Sequence, residues 1–382
     1  MNASPPRVAF FTDCYHEVNG VATTSREFVK FAKNRQLPLL AVHAGERGGL
    51  RTDGAVIHFE FMRRFPRLRL DADMAFDLAF LTRHLKPVEN AFRAFQPNIV
   101  HATGPSDSGL MGLILAHRYK VPMIASWHTN LHEYAGRRLP AWMPGRSAIV
   151  HGALQLLGQF YRYPRRTLAP NPELTALLET MTKRPSSLME RGVDVELFQP
   201  AKRMRECSSS FRIGYVGRLT REKNVRLLAE LDERLQETMR GRYEFCIVGQ
   251  GDEREYLQSA LTNALFRGVL RGESLARAYA DFDAFVFPSE TDTYGNVVQE
   301  AMASGVQALV TGSGGPKFLV EHGVTGFVCN SAPEFAHFVC VLIQNPARHG
   351  AIRAEARKSA LRRSWERIFE GVYEAYGCAL TP

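Results

Sequence analysis

The chain lacks any long hydrophobic run, any low-complexity tract and any short-period internal repeat. The first absence excludes a membrane-spanning helix, and the others exclude solenoid, propeller and disordered-linker architectures. Cysteine is sparse: Cys14, Cys207, Cys246, Cys329, Cys340 and Cys378 are scattered, with no Cys-x-x-Cys pair. That argues against a thiolate metal site or a redox pair, and reads as buried free thiols in a reducing compartment. No basic-then-apolar leader precedes the first strand at Val8, so the expectation is a chain without a signal peptide, working in the cytoplasm. No nucleic-acid-binding module accompanies the basic residues, so nucleic acid is not an expected partner.

What is present is an ordinary globular composition over 382 residues with a net charge of +9. That length suits two domains. The positive excess is clustered in the first half, at Met62-Arg63-Arg64-Phe65-Pro66-Arg67-Leu68-Arg69-Leu70, at Arg137-Arg138 and at Arg162-Tyr163-Pro164-Arg165-Arg166. Mixed with large apolar residues, these clusters read either as a solvated face or as a patch resting on an anionic membrane from its cytoplasmic side.

Short apolar runs alternate with helical patterns. In the first half, strands are expected at Val8–Thr12, Leu39–His43, Ala55–Phe59, Asn98–Ala102 and Met123–His128, and helices at Val21–Lys33, Ala75–Phe95 and Ser108–Tyr119. From Leu139 to Met189 the pattern reads as mostly helical. A charged, serine-rich stretch, Lys202–Ser210, reads as a linker, and a second series of strands opens at Arg212. Repeated strand–helix units imply an α/β fold with parallel sheets covered on both faces. The expected domains are 1–200 and 211–358, followed by a closing helical segment 359–382. Two such domains facing each other would give a ligand cleft.

The segment Pro288–Gly305 carries the most chemistry. Asp292 and Glu300 lie eight residues apart, with Gly295 between them, after the apolar run Ala284–Phe287. One acid emerges at the carboxyl end of a strand, the edge where open α/β sheets bind ligands, and the other rides the helix that starts there. If the segment were wholly helical the separation would be roughly 12 Å, the span from sugar to ribose across a diphosphate, with free helix N–H groups facing phosphate. In Gly217–Asn224, Arg218 and Lys223 sit at an expected helix start, where the dipole disfavours cations, which points to a ligand role. Gly20, in Val18-Asn19-Gly20-Val21, would let backbone approach a phosphate. His128 ends a strand at its carboxyl edge. Val248-Gly249-Gln250-Gly251-Asp252 is an incomplete dinucleotide fingerprint. Asp281-Phe282-Asp283 has an Asp-x-Asp pattern but directly precedes a buried strand.

The run Thr291–Ala303 resembles the acid-x7-acid motif of retaining GT-B glycosyltransferases of the group-1 type (glycosyltransferase family 4). Within that family it looks most like the branch of GDP-mannose-dependent α-mannosyltransferases and sulfoquinovosyl-type glycolipid synthases. Most members carry Glu at the first position, where this chain has Asp292. The resemblance implies two Rossmann-like parallel-sheet domains, the first binding acceptor and the second donor, with the closing helix returning to the first domain. It implies that Arg218 and Lys223 hold the donor diphosphate, Asp292 the sugar hydroxyls and Glu300 the ribose, with Tyr294, Gly295 and Asn296 beside them. Gly249 falls in the family's turn near the nucleotide, Phe266 in the loop that meets the base, and Gly314-Gly315-Pro316 in a glycine-rich turn near the donor. His128 falls where the family touches the transferred sugar, and Gly20 near the diphosphate. Asp13, His16, Glu17 and Tyr134 are expected acceptor contacts.

The expected activity is transfer of a hexosyl group, mannosyl favoured, from a nucleotide-sugar with retention. The acceptor would be a glycolipid, a polyprenyl-linked group, or an inositol or glycan, phosphorylated or lipid-linked. No metal and no resident cofactor are expected, the nucleotide-sugar (GDP-mannose, or a UDP-hexose) being a co-substrate. The alternatives are a UDP-hexose-dependent transferase of the same fold, a nucleotide-sugar epimerase, which needs no acceptor, and a non-catalytic scaffold.

Overall fold

The structure, a computed structural model, describes residues 4–17, 19–45, 48–62, 67–69, 75–77, 80–128, 152, 155, 157–205 and 210–381. Val18, Arg63, Arg64, Tyr134, Arg137, Arg138 and Cys207 lie outside the described residues. So do the side chain of Arg67 and the start of the stretch read as helical from Leu139. No helix among the described residues is long and apolar enough to cross a membrane. The chain divides into two compact units, Met1–Glu190 with Trp365–Pro382, and Arg191–Ser364.

The first unit is built on an eight-stranded sheet. Its strands are β1 (Val8–Thr12), β2 (Leu39–Ala44), β3 (Gly49–Asp53), β4 (Val56–Phe61), β7 (Ile99–Ala102), β8 (Met123–Ser126), β9 (Arg166–Ala169) and β10 (Ser186–Leu188). A separate antiparallel hairpin pairs β5 (Arg67–Arg69) with β6 (Ala75–Asp77). The sheet order is β10-β9-β8-β7-β1-β2-β4-β3, parallel except for β3. The chain winds from β1 toward β4, then returns to β7 and winds the other way. The switch point therefore lies between β1 and β7, whose carboxyl ends form the ligand-binding edge of such sheets. β1, β7 and β8 are buried along their whole length, which explains their continuous apolar runs.

Two expectations of the sequence need correction here. The helix expected from Ala75 begins at Phe80, because Ala75–Asp77 pairs as a strand. The stretch read as helical to Met189 contains β9 and β10 on either side of the helix Pro172–Thr182. β10 is a three-residue edge strand, Ser-Ser-Leu, too short and too polar to announce itself. The basic cluster before β9 is partly absorbed in the fold. Arg165 Nη1 donates to the Ala379 carbonyl at 2.9 Å, and Arg166 Nη1 to Ser187 Oγ at 2.9 Å.

The closing helix Trp365–Leu380 belongs to the first unit, whereas the preceding helix Pro346–Leu361 belongs to the second. Phe369, Val372 and Tyr376 of the closing helix are buried in one cluster with Phe28 and Phe31 of the helix Gly20–Asn34, the Phe369 ring lying 5.2 Å from Phe28 and 5.6 Å from Phe31. Arg35 pairs with Glu366 and Glu370, but all three are half exposed, so the apolar seam contributes more.

The second unit carries a fully parallel six-stranded sheet of β11 (Phe211–Val216), β12 (Tyr243–Val248), β13 (Ala264–Gly268), β14 (Ala284–Phe287), β15 (Ala308–Thr311) and β16 (Gly326–Cys329). The order β13-β12-β11-β14-β15-β16 is the doubly wound order, with its switch point between β11 and β14. Entry to this unit comes at Arg191, ahead of the charged stretch Lys202–Ser210, because Val193 and Phe198 are buried in its core.

Replacing Phe369 by Ala removes a fully buried ring from the seam of the closing helix. It should cost about 3–5 kcal/mol, read as a lowered Tm. An unchanged Tm would show that the helix is not anchored there.

Candidate active site

The loops after β11 and β14 meet at the switch point of the second sheet. The first, Gly217–Asn224, ends in a 3-10 turn, Arg221–Lys223, closed by Asn224 in the left-handed conformation (φ 53°). Lys223 thus sits in a tight turn ahead of the helix Leu227–Thr238, not at the helix start the sequence suggested. The second loop runs from Pro288 to Gly295, and the helix Asn296–Ala303 follows it.

Lys223 Nζ donates to both oxygens of Asp292, at 2.9 and 2.8 Å. Burial opposes ionisation of Asp292, but the charge and hydrogen bonds of Lys223, with the charge of Arg218 beyond, hold its carboxyl below the usual range. Arg218 itself is half exposed and pairs with Glu222 at 2.7 Å. The chain therefore assembles Arg218, Lys223 and Asp292 as one charged group across the two loops.

Glu300 has a different environment. Tyr279, fully buried on the helix Gly272–Ala280, donates its hydroxyl to Glu300 Oε2 at 2.8 Å. Among the described residues no cation pairs with Glu300. Burial pushes its carboxyl up to about 7, only partly offset by the Tyr279 hydrogen bond. The two acids thus differ: Asp292 is ionised and salt-bridged, whereas Glu300 holds its proton more tightly than an ordinary carboxyl, and hydroxyl donors facing it would favour its ionised form, the proton leaving to solvent.

The intervening turn is shaped by glycine. Gly295 has φ +100° and starts the helix without a side-chain cap, leaving N–H groups of the first turn to another acceptor. Asn296 Oδ1 at the start of this helix and Thr220 Oγ1 on the other loop are buried and lack a hydrogen-bond partner among the described residues, as do atoms elsewhere in the unit such as Ser304 Oγ and Gln307 Oε1.

Other expected donor contacts have structural partners within the unit. Tyr294 is buried, its hydroxyl donating to the Arg191 carbonyl at 3.0 Å and accepting from Gln299 Nε2 at 2.6 Å. Its ring is buried in the core of the unit. A Cβ on Gly249 (φ +138°) would lie 1.9 Å from the Gly217 carbonyl oxygen, so this glycine lets the loops after β11 and β12 close on each other. Gly315 does the same for the acid loop: its N–H donates to the Asp292 carbonyl at 2.7 Å, and a Cβ there would lie 2.0 Å from the Thr293 oxygen. Phe266 is half-buried on β13 and packs against the core. Asp283, of the Asp-x-Asp pattern, is held by Arg203 at 2.7 Å, Arg205 at 2.9 Å and the Arg212 backbone N–H at 2.8 Å. Asp281 accepts from the N–H groups of Met204 and Arg205. The pattern is an arginine-fixed core corner.

In the first unit, Asp13 Oδ1 accepts from the Ser108 N–H at 3.3 Å, joining the loop after β1 to the helix that follows β7. Glu17 accepts from the Tyr15 N–H at 2.8 Å. Gly20 opens the helix Gly20–Asn34, whose start is capped by Asn19 accepting from the Ala22 N–H at 2.9 Å. His128 is buried just past β8, its Nε2 2.7 Å from Ser126 Oγ. His16, His43 and Glu60 bring ligand-type atoms within 4.8 Å of one another. Both His43 nitrogens are already engaged, Nδ1 with the Ala44 carbonyl at 3.0 Å and Nε2 with His58 Nδ1 at 3.1 Å. With Tyr15 stacked on His43, this reads as a hydrogen-bonded aromatic platform.

Sequence reasoning missed Tyr279 and Arg191. Arg191 is buried, its guanidinium pushed down to about 10 by burial against the opposing charge influence of Tyr294 and Asp292. Neither residue has a local motif that would have revealed it.

Because the Glu300 pKa is higher in the fold than in the unfolded chain, wild-type stability should fall between about pH 4.5 and pH 7 and level off above. Glu300→Gln should therefore gain on wild type by about 1–2 kcal/mol between roughly pH 5 and pH 8, discounted for partial exposure. A pH-independent difference in Tm would contradict this. Asp283→Asn should cost about 2–4 kcal/mol by stranding its arginines; a variant as stable as wild type would contradict this.

A model described as "Glycosyltransferase Family 4" matches residues 18–197, and one described as "Glycosyl transferases group 1" matches residues 210–345. A GDP-mannose-dependent alpha-mannosyltransferase of Mycobacterium tuberculosis is 34% identical over 301 residues, covering 75% of each chain. Its namesake in Corynebacterium glutamicum is 28% identical over 97% of this chain and 89% of its own. Among solved structures, a sucrose-phosphate synthase of Thermosynechococcus elongatus superposes with a TM-score of 0.74 at 18% identity, covering 97% and 98% of the two chains. Anabaena HepE, solved with UDP and glucose, gives 0.71 at 16% identity, covering 97% and 99%. These structural likenesses show the fold, GT-B. With the acid loop, the Arg218–Lys223 turn and relatives spanning three quarters or more of the chain, the protein belongs to the group-1 glycosyltransferases of glycosyltransferase family 4.

Proposed function

We propose that this glycosyltransferase moves a mannosyl group from GDP-mannose, with retention, onto a lipid-linked, phosphorylated or glycan acceptor, and that it needs no metal. The observation that carries the reading is the unlike pair of acids at one switch point. Asp292 is held ionised by Lys223, and Glu300 has no cation partner among the described residues and is pushed up to about 7. The donor identity is supported by the relatives named GDP-mannose-dependent alpha-mannosyltransferases.

The chemistry follows from charge. Departure of a nucleoside diphosphate builds negative charge, and Arg218 and Lys223 are the fixed cations that would stabilise it, a role otherwise filled by a metal. The uncapped start of the helix Asn296–Ala303 offers further N–H donors to phosphate. When the diphosphate takes up Lys223, Asp292 is released to hold sugar hydroxyls, and its short side chain limits how far it reaches. Glu300 accepts from the ribose hydroxyls in its ionised form. From the first unit, His128 contacts the transferred sugar. An anionic membrane surface for the acceptor is supported by the sequence of the Arg63-Arg64-Phe65-Pro66-Arg67 cluster.

Metal-free GDP at about 100 times its Kd should stabilise the protein by roughly 2.7 kcal/mol, with UDP and ADP giving smaller Tm shifts. A selective response to UDP would move the donor assignment to a UDP-hexose, and no response to any nucleotide would end the reading. Glu300→Ala should weaken GDP binding roughly tenfold or more, the loss of charge-assisted ribose contacts. Since those contacts favour the carboxylate, GDP binding should also release protons below about pH 7 in wild type but not in Glu300→Ala. Calorimetry in buffers of different ionisation enthalpy reads this, and equal proton release by both proteins would remove Glu300 from the ribose. The anomeric configuration of the mannosyl product, read by NMR, tests retention, and an inverted product would refute it.

A further inference from the structure

An unbroken line of four hydrogen-bonded side chains crosses the core of the first unit. The Tyr376 hydroxyl, on the closing helix, lies 2.6 Å from His101 Nδ1 on β7. His101 Nε2 lies 3.1 Å from Ser126 Oγ at the end of β8, and Ser126 Oγ lies 2.7 Å from His128 Nε2. Tyr376, His101 and Ser126 are at most 1% exposed, and His128 is 9% exposed. Water therefore cannot supply the inner members with substitute partners.

Proton counting selects one direction along this line. Neutral imidazole has one N–H and one bare nitrogen, whereas a hydroxyl both donates and accepts. His101 is neutral: burial pushes its pKa down to about 3. Tyr376 keeps its phenolic proton, because burial raises its pKa well above the usual value. Among the described residues the Tyr376 hydroxyl has no hydrogen-bond partner other than His101. If it did not donate to Nδ1, a buried O–H would go unpaired at a cost of about 1–3 kcal/mol. With Nδ1 accepting, His101 carries its proton on Nε2 and donates to Ser126 Oγ. The serine proton is then turned toward His128.

We propose that Tyr376, His101 and Ser126 are positioning residues that lock His128 as the Nδ1–H tautomer, its Nε2 accepting from Ser126 Oγ. The inference rests on the reading of His128 as a contact of the transferred sugar, and it sharpens that reading. A His128 fixed in this way presents a hydrogen-bond donor at Nδ1, not a bare nitrogen. At that atom His128 is a hydrogen-bond donor and not a general base. The closing helix thereby acquires a role beyond its apolar seam: it supplies the terminal donor that orients the whole line.

The test uses the full chain with ¹⁵N-labelled histidine, in long-range ¹H–¹⁵N spectra near neutral pH, with His101 and His128 assigned by single substitution. The expected wild-type pattern is His101 protonated at Nε2 and bare at Nδ1, and His128 protonated at Nδ1 and bare at Nε2. In Ser126→Ala, His128 should move toward the Nε2–H tautomer, and kcat should fall about tenfold with donor KM within about twofold, the signature of misorientation. Wild-type His128 protonated at Nε2, or an unchanged His128 pattern in Ser126→Ala, would overturn the relay. The wild-type spectrum decides the matter even if the variant does not fold. Full transfer activity in His128→Ala would instead overturn the placing of His128 at the sugar, with the tautomer pattern intact.

Discussion

The ion pair between Lys223 and Asp292 is the interaction around which the second unit's site is organised. It joins the loop after β11 to the loop after β14, the two strands between which the winding of the sheet reverses. Both side chains are largely buried, so the pair lies between the weak surface case and the fully buried case in which desolvation cancels the attraction. Such a pair is well suited to exchange. A diphosphate would, on the proposed function, bring the negative charge that Lys223 needs, and sugar hydroxyls the donors that Asp292 would then lack. On the proposed function, the ligand-free pairing holds each group in place and keeps it from being stranded.

The first unit repeats the device with a backbone N–H in place of the lysine. Its switch point lies between β1 and β7, and there Asp13, just past β1, accepts from the Ser108 N–H of the helix that follows β7. In both sheets a carboxylate from one loop ties down the element across the reversal. Glycine does the remaining work in the second unit: Gly249 and Gly315 let neighbouring loops approach to distances at which any Cβ would overlap a carbonyl oxygen. The rigidity of the site thus comes from backbone contacts between loops as much as from side-chain chemistry.

This division explains what could be read from the sequence. The buried parallel strands were legible because burial on both faces leaves continuous apolar runs, and Asp292 and Glu300 were legible because their spacing is local. β9 and β10 were not, since four and three residues with few apolar side chains carry no periodicity. Tyr294 looked like a ligand contact because it sits in the motif, but only the fold shows its ring turned inward onto Gln299 and Arg191. The Asp281-Phe282-Asp283 pattern carried no sign of its arginine partners, because Arg203, Arg205 and Arg353, which surround Asp283, are remote in sequence. Tyr279, Arg191 and the Tyr376–His101–Ser126 line were invisible for the same reason: their partners are set by topology, not by spacing.

The central claim is that phosphate and Asp292 compete for Lys223. Calorimetric titration of GDP into wild type, Lys223→Met, Asp292→Asn and the double variant tests it directly. The account predicts that Asp292→Asn binds GDP at least as tightly as wild type, because Lys223 is freed. It predicts that Lys223→Met binds more weakly, and that the double variant follows Lys223→Met. Weaker GDP binding in Asp292→Asn, or unchanged binding in Lys223→Met, would contradict it.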